Sequence, residues 1–109
     1  MATTYKVLAQ SNPSATTATS LYTCGATNGA IISTITICNQ AATAGTYQIA
    51  VRPAGATLAN QHYIAYNVAI AANDTTALTL GITLANTDVI TVYASSANMS
   101  FAAFGSELS

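Results

Sequence analysis

The chain has 109 residues, enough for one domain with a real core and too few for two. Hydrophobic residues make up 51% of it, much of that alanine, and only 5% are charged, against about 25% in ordinary globular proteins. Two basic side chains, Lys6 and Arg52, make no phosphate-binding footprint, which argues against nucleic acid, and no run nears the roughly 18 apolar residues of a membrane span.

Met1, Ala2, Thr3 and Thr4 carry no pattern and read as an N-terminal arm, without the basic and apolar start of a secretory signal. The expectation is a soluble protein made in the cytoplasm. Tyr5 to Gln10 alternates and predicts a first strand. Ser11-Asn12-Pro13-Ser14 is turn chemistry, because proline removes a donor and restrains the residue before it. A loop then leads into a strand over Ala18 to Cys24. Ala30 to Asn39 is dominated by β-branched residues, which suit a pleated surface and disfavour helix. Its alternation places Ile31, Ile35 and Ile37 on one face and Ile32, Thr34, Thr36 and Cys38 on the other. After a connection of small polar residues, Thr46 to Arg52 predicts a strand with Tyr47, Ile49 and Val51 inward and Gln48, Ala50 and Arg52 outward. Arg52-Pro53-Ala54-Gly55 suits a type I turn, and Ala56 to Gln61 is a loop or a short helical turn.

Tyr63 to Ser95 is the most regular part of the chain and reads as three strands. Ile64, Tyr66, Val68 and Ile70, then Leu78, Leu80, Ile82 and Leu84, then Ile90 and Val92 alternate with small or hydroxylated residues. A period of two predicts that all these large side chains face the core. A last strand, Met99 to Gly105, has Met99, Phe101 and Ala103 on one side, and Ser106 to Ser109 reads as a tail. About eight short strands, turns at roughly ten-residue spacing and no helix predict a single all-β domain, an antiparallel β-sandwich with a jelly roll as one form of it.

The chemistry-bearing residues are few. His62 is the single histidine and has no nucleophile or orienting acid in a local motif, so it reads as a hydrogen-bonding residue where a loop enters a strand. Asp74 and Asp88 sit in turns and are expected to hold nearby backbone amides. Neither calcium nor zinc ligand spacing is present, and no catalytic residue, metal or cofactor is expected. If the strands around the turn at residues 25–29 form a hairpin, Cys24 and Cys38 lie on the order of 25 Å apart at about 3.3 Å per residue, beyond the reach of a disulfide. Two free, buried thiols in a reducing compartment follow. Tyr47 and Tyr66 fall on apolar faces. Tyr63 and Tyr93 fall on the opposite faces; exposed, such a pair stacks on a sugar ring or anchors a protein interface, and the competing reading is that a loop or sheet covers them.

Several segments carry a resemblance: Arg52-Pro53-Ala54-Gly55, Tyr63-Ile64-Ala65-Tyr66, Ala72-Asn73-Asp74-Thr75, Leu78 to Leu84, Thr87 to Ala94, and Phe104-Gly105-Ser106-Glu107. With them, nearly the whole chain resembles the small β-sandwich virion proteins of tailed phages: capsid cement or decoration proteins, or tail and fibre components. The resemblance implies a non-enzymatic structural protein located in the virion. It would act as a homo-oligomer on the major capsid protein, or on a tail protein, with no membrane partner. The alternative it leaves open is a tail or tail-fibre component that binds a host receptor or glycan. A charge-poor surface and patternless ends suggest contact through the termini, so Met1, Ala2, Thr3, Thr4, Glu107 and Leu108 join Tyr63 and Tyr93 as interface candidates.

Overall fold

Eight strands make up most of the computed structural model, which describes residues 3–26 and 29–108. In chain order they are β1 (Thr3–Ser11), β2 (Thr19–Thr23), β3 (Gly29–Asn39), β4 (Gly45–Arg52), β5 (Tyr63–Ile70), β6 (Thr75–Leu84), β7 (Val89–Ala94) and β8 (Met99–Leu108). Short 3₁₀ turns at Pro53–Gly55 and Asn60–His62 are the only helical pieces among the described residues. Met1, Ala2 and Ser109 lie outside them, as do Thr27 and Asn28 of the expected turn.

All six pairings among the described residues are antiparallel, and four follow one rule: β1 with β8, β2 with β7, β3 with β6, β4 with β5; β3 with β8 and β4 with β7 then join these pairs into sheets. The chain is one long hairpin, rolled so that successive pairs alternate between two sheets. The first sheet has the order β1-β8-β3-β6 and the second β2-β7-β4-β5. This is a jelly roll, two packed four-stranded sheets, which makes the fold a β-sandwich. Between the sheets lie Ile32, Ile35 and Ile37 of β3, Tyr47 and Ile49 of β4, Ile90 and Val92 of β7, and Met99, Phe101 and Ala103 of β8, all essentially inaccessible to water. Asn39 is the one fully buried amide in this set, and it is satisfied. Its Nδ2 donates to the carbonyls of Thr43 and Ala71, at 3.0 and 3.1 Å, and its Oδ1 accepts from the Ala41 amide.

Three expectations are corrected, each for a reason of register. First, the stretch from Tyr63 to Ser95 is not one continuous sheet surface: β5 and β7 flank β4 in the second sheet, while β6 is an edge of the first. Ile64, Tyr66 and Val68 are exposed, Tyr66 at 60%, and so is Leu80. On β5, Val68 and Ala65 face Tyr47 and Ile49, and Ala65 and Tyr63 face Ile49 and Ala50, so the strand holds two extra residues. Asn67 adopts the left-handed conformation at the first bulge, and Gly81 does so where β6 shifts against β3. Each bulge shifts the in–out alternation by one residue. Second, the register shift between Ile32 and Thr34 places Ile32 in the core with Ile35 and Ile37 and leaves Ile31 half-exposed.

Third, neither end is a free arm where it is described. Thr3 and Thr4 pair with Leu108 and Glu107, so the N-terminal strand begins by Thr3 and the C-terminal strand runs to Leu108. Backbone pairing between the two ends needs no side-chain pattern, which is why the pattern did not reveal it. Cys24 is a buried free thiol and Cys38 a half-buried one. They belong to chain segments of different sheets, so the hairpin assumed between β2 and β3 does not exist.

Candidate binding surfaces

The five charged side chains are all engaged within the molecule. Lys6 Nζ lies 2.8 Å from Glu107 Oε1, and the Tyr22 hydroxyl donates to the other carboxylate oxygen of Glu107. This small network joins β1 and β8 of the first sheet to β2 of the second. Arg52 donates from Nε to Thr91 Oγ1 and from Nη1 to the carbonyls of Gly55 and Ala56. Asp88 accepts from the amides of Ala54 and Ala85, both at 2.9 Å, and Asp74 from the amide of Thr75. The aspartates hold turns, as expected from their positions, although Asp88 also reaches a loop 34 residues away. His62 Nδ1 accepts the Ala59 amide at 3.1 Å and shapes the same loop. Among the described residues no three His, Cys, Asp or Glu side chains cluster as metal ligands.

Glu107 therefore serves the fold, and its role was missed in the sequence. The available signal was that Lys6 and Glu107, opposite charges in a chain with only five, sit in the first and last segments. The Lys6 ammonium and the Tyr22 hydroxyl hold the Glu107 carboxyl below its ordinary range, while burial, with the Glu107 carboxylate, pushes the Tyr22 phenol up. A carboxyl whose folded value is depressed adds stability above its unfolded value, and loses it as pH falls through the folded one. Glu107→Gln is expected to cost about 1–2 kcal/mol at pH 7, mostly through the Tyr22 bond, because Lys6 is nearly half exposed. Urea unfolding of the two proteins at pH 7 and again well below pH 4 checks this: the difference should shrink in acid, and a constant difference refutes it.

Two surfaces remain that the fold does not consume. On the first sheet, register aligns Tyr5, Ser106 and Ile31 in one row and Val7 with Phe104 in the next, so these side chains share a face. Tyr5 is 83% exposed, and Val7 and Ile31 are exposed to nearly half. Beside them runs the outer edge of β1, an edge strand whose first five described residues, Thr3 to Val7, are all exposed. An open strand edge next to exposed apolar side chains is a template for pairing with another chain.

On the outer face of the second sheet, Tyr63 and Tyr93 come together. They line a cavity of about 270 Å³ with Gln48, Thr91, Thr16 and Leu58. The residues after β4 fold back to form one wall. Their turn differs from the expected type I: Ala54 and Gly55 both have positive φ, and the Ala56 amide bonds to the Pro53 carbonyl. The Asp88 carboxylate and the Arg52 guanidinium hold it in that shape. Both tyrosines are half-buried rather than free, so the loop covers them in part. Tyr66, expected in the core, instead sets its ring edge-on to Tyr63, with centroids 4.9 Å apart. With Asn60 the two rings line a second cleft of about 320 Å³. Comparison of the chain with protein-family models, curated proteins and solved structures finds no match in any of the three.

Proposed function

We propose that this chain is a non-enzymatic structural protein of a virus particle, a capsid cement or decoration protein that binds copies of itself and the outside of the shell. The observation that carries the reading is the surface: every charged side chain is bound within the molecule, while Tyr5, Val7 and Ile31 stand exposed beside an open strand edge. A surface of this kind has little charge to desolvate and little repulsion between copies, and it leaves apolar area to bury. The jelly roll is an architecture that capsid subunits share with unrelated proteins, so it is compatible with the reading without selecting it. Repeated in many copies, modest contacts stabilise a shell by mass action. The second reading, a tail or tail-fibre component that engages a receptor, has the aromatic cavity of the second sheet in its favour.

Electron microscopy of virus particles prepared with and without the protein tests both. Many copies over the head, with particles that leak genome when they are missing, are expected, and Tyr5→Ser should lower the occupancy. A few copies at the tail favour the second reading. Absence from particles overturns the virion assignment.

A further inference from the structure

We propose that the outer face of the second sheet carries a binding site for a neutral sugar ring, centred on Tyr63. The site stands apart from the assembly reading, since it leaves the apolar face of the first sheet and the β1 edge free for protein contacts. Tyr63 forms a wall shared by two adjoining cavities, one toward Tyr93 and Gln48 and one toward Tyr66 and Asn60. At about 270 and 320 Å³ they sit just below and just above the lower limit of the size range of small-molecule sites, roughly 300–1,000 Å³, which suits one ring each rather than an extended chain.

The chemistry of the lining selects the ligand class. A sugar ring has an apolar face of C–H groups and a rim of hydroxyls, so it needs flat aromatic surface beside uncharged donors and acceptors. Tyr63, Tyr66 and Tyr93 supply the first, and Gln48, Asn60 and the hydroxyls of Thr16 and Thr91 supply the second. Gln48 gives one amide hydrogen to Asn67 Oδ1, at 2.7 Å, and its Oε1 has no side-chain partner among the described residues. A wholly apolar ligand would cover Gln48 Oε1 without giving it a partner. An anion would find no cation: the lining holds no charged residue, and Arg52, nearest through Thr91, has Nε and Nη1 committed to Thr91, Gly55 and Ala56. The wall is also fixed in advance by the Ala54–Asp88, Ala56–Arg52 and Ala59–His62 hydrogen bonds, so little ordering is left to oppose binding.

Saturation-transfer NMR on the full chain, in solution and away from any particle, tests the site independently of the virion reading. The probes are methyl glycosides of glucose, galactose and mannose, N-acetylglucosamine, N-acetylneuraminic acid, and adenosine. Saturation of the tyrosine rings should pass to the ring C–H protons of at least one neutral sugar. Tyr66→Ala and Gln48→Ala should each weaken that sugar about five- to tenfold. Tyr66 is largely exposed, so its replacement leaves the core intact, and an unchanged amide spectrum verifies this. No transfer to any neutral sugar, or transfer indifferent to both substitutions, overturns the proposal. Stronger binding of the anionic sugar or of adenosine overturns the ligand class.

Discussion

Replacing Phe101 by alanine is expected to lower the free energy of unfolding by about 3–5 kcal/mol, a large part of the 5–15 kcal/mol typical of a domain. The ring is 1% exposed and belongs to β8 of the first sheet, where it pairs with Ile37. It meets Tyr47 of the second sheet edge to face, with centroids 6.5 Å apart and an interplanar angle of 74°. Truncation removes this contact between the sheets and leaves a cavity that rigid strands on both sides cannot collapse around. Phe101→Leu, which keeps most of the buried surface, should cost less than half as much. Denaturant unfolding followed by far-ultraviolet circular dichroism gives both values. A loss under about 1 kcal/mol for the alanine variant would mean that the ring does not join the sheets.

Alanine at Gly105 should be comparably damaging for a different reason. A β-carbon there would sit 2.0 Å from the carbonyl oxygen of Ile31 and 3.0 Å from the Ile31 carbonyl carbon and the Ile32 Cα. All three are backbone atoms of the neighbouring strand and cannot swing aside. The close approach arises because β3 shifts register against β8 between Ile32 and Thr34, with Gly105 opposite Ile32. We expect a loss of about 3 kcal/mol or more, or failure to accumulate folded protein. Gly81→Ala is the comparison: φ is +65° but nothing lies within 4 Å, so only conformational strain of about 1–2 kcal/mol applies. Thermal unfolding of the two variants ranks them, and Gly81→Ala proving the worse would refute the packing argument.

The contrast between these glycines shows what a sequence can and cannot reveal. Gly81 falls in phase at a small position of an alternating run, so the alternation did not reveal the bulge there, although a lone glycine in a strand pattern can signal one. Gly105 gives no such signal, because its constraint comes from β3, more than seventy positions earlier. The same distinction separates the tyrosines. Tyr47 lies in an unbulged match between β4 and β7 and is buried as its alternation predicts. Tyr66 lies within a bulge of an edge strand, between Ala65 and Val68, and turns outward. For the candidate site, Tyr63 and Tyr93 were recognisable as a pair of outward tyrosines. Nothing local indicated that a loop held by Asp88, Arg52 and His62 would wall them into one cavity.

Local pattern alone determined the all-β class, the eight strands to within a few residues, the turn roles of Asp74 and Asp88, and the lack of a local catalytic motif. These are properties of the chain's own period and turn chemistry, which act over a few residues. The tertiary structure decided the rest. It paired Thr3 with Leu108, divided consecutive strands between two sheets, and turned Ile31, Ile64, Tyr66 and Leu80 outward. The physical reason is common to all three. Which strand lies alongside, and where a bulge shifts the alternation by one residue, depends on hydrogen bonds to residues far away in sequence.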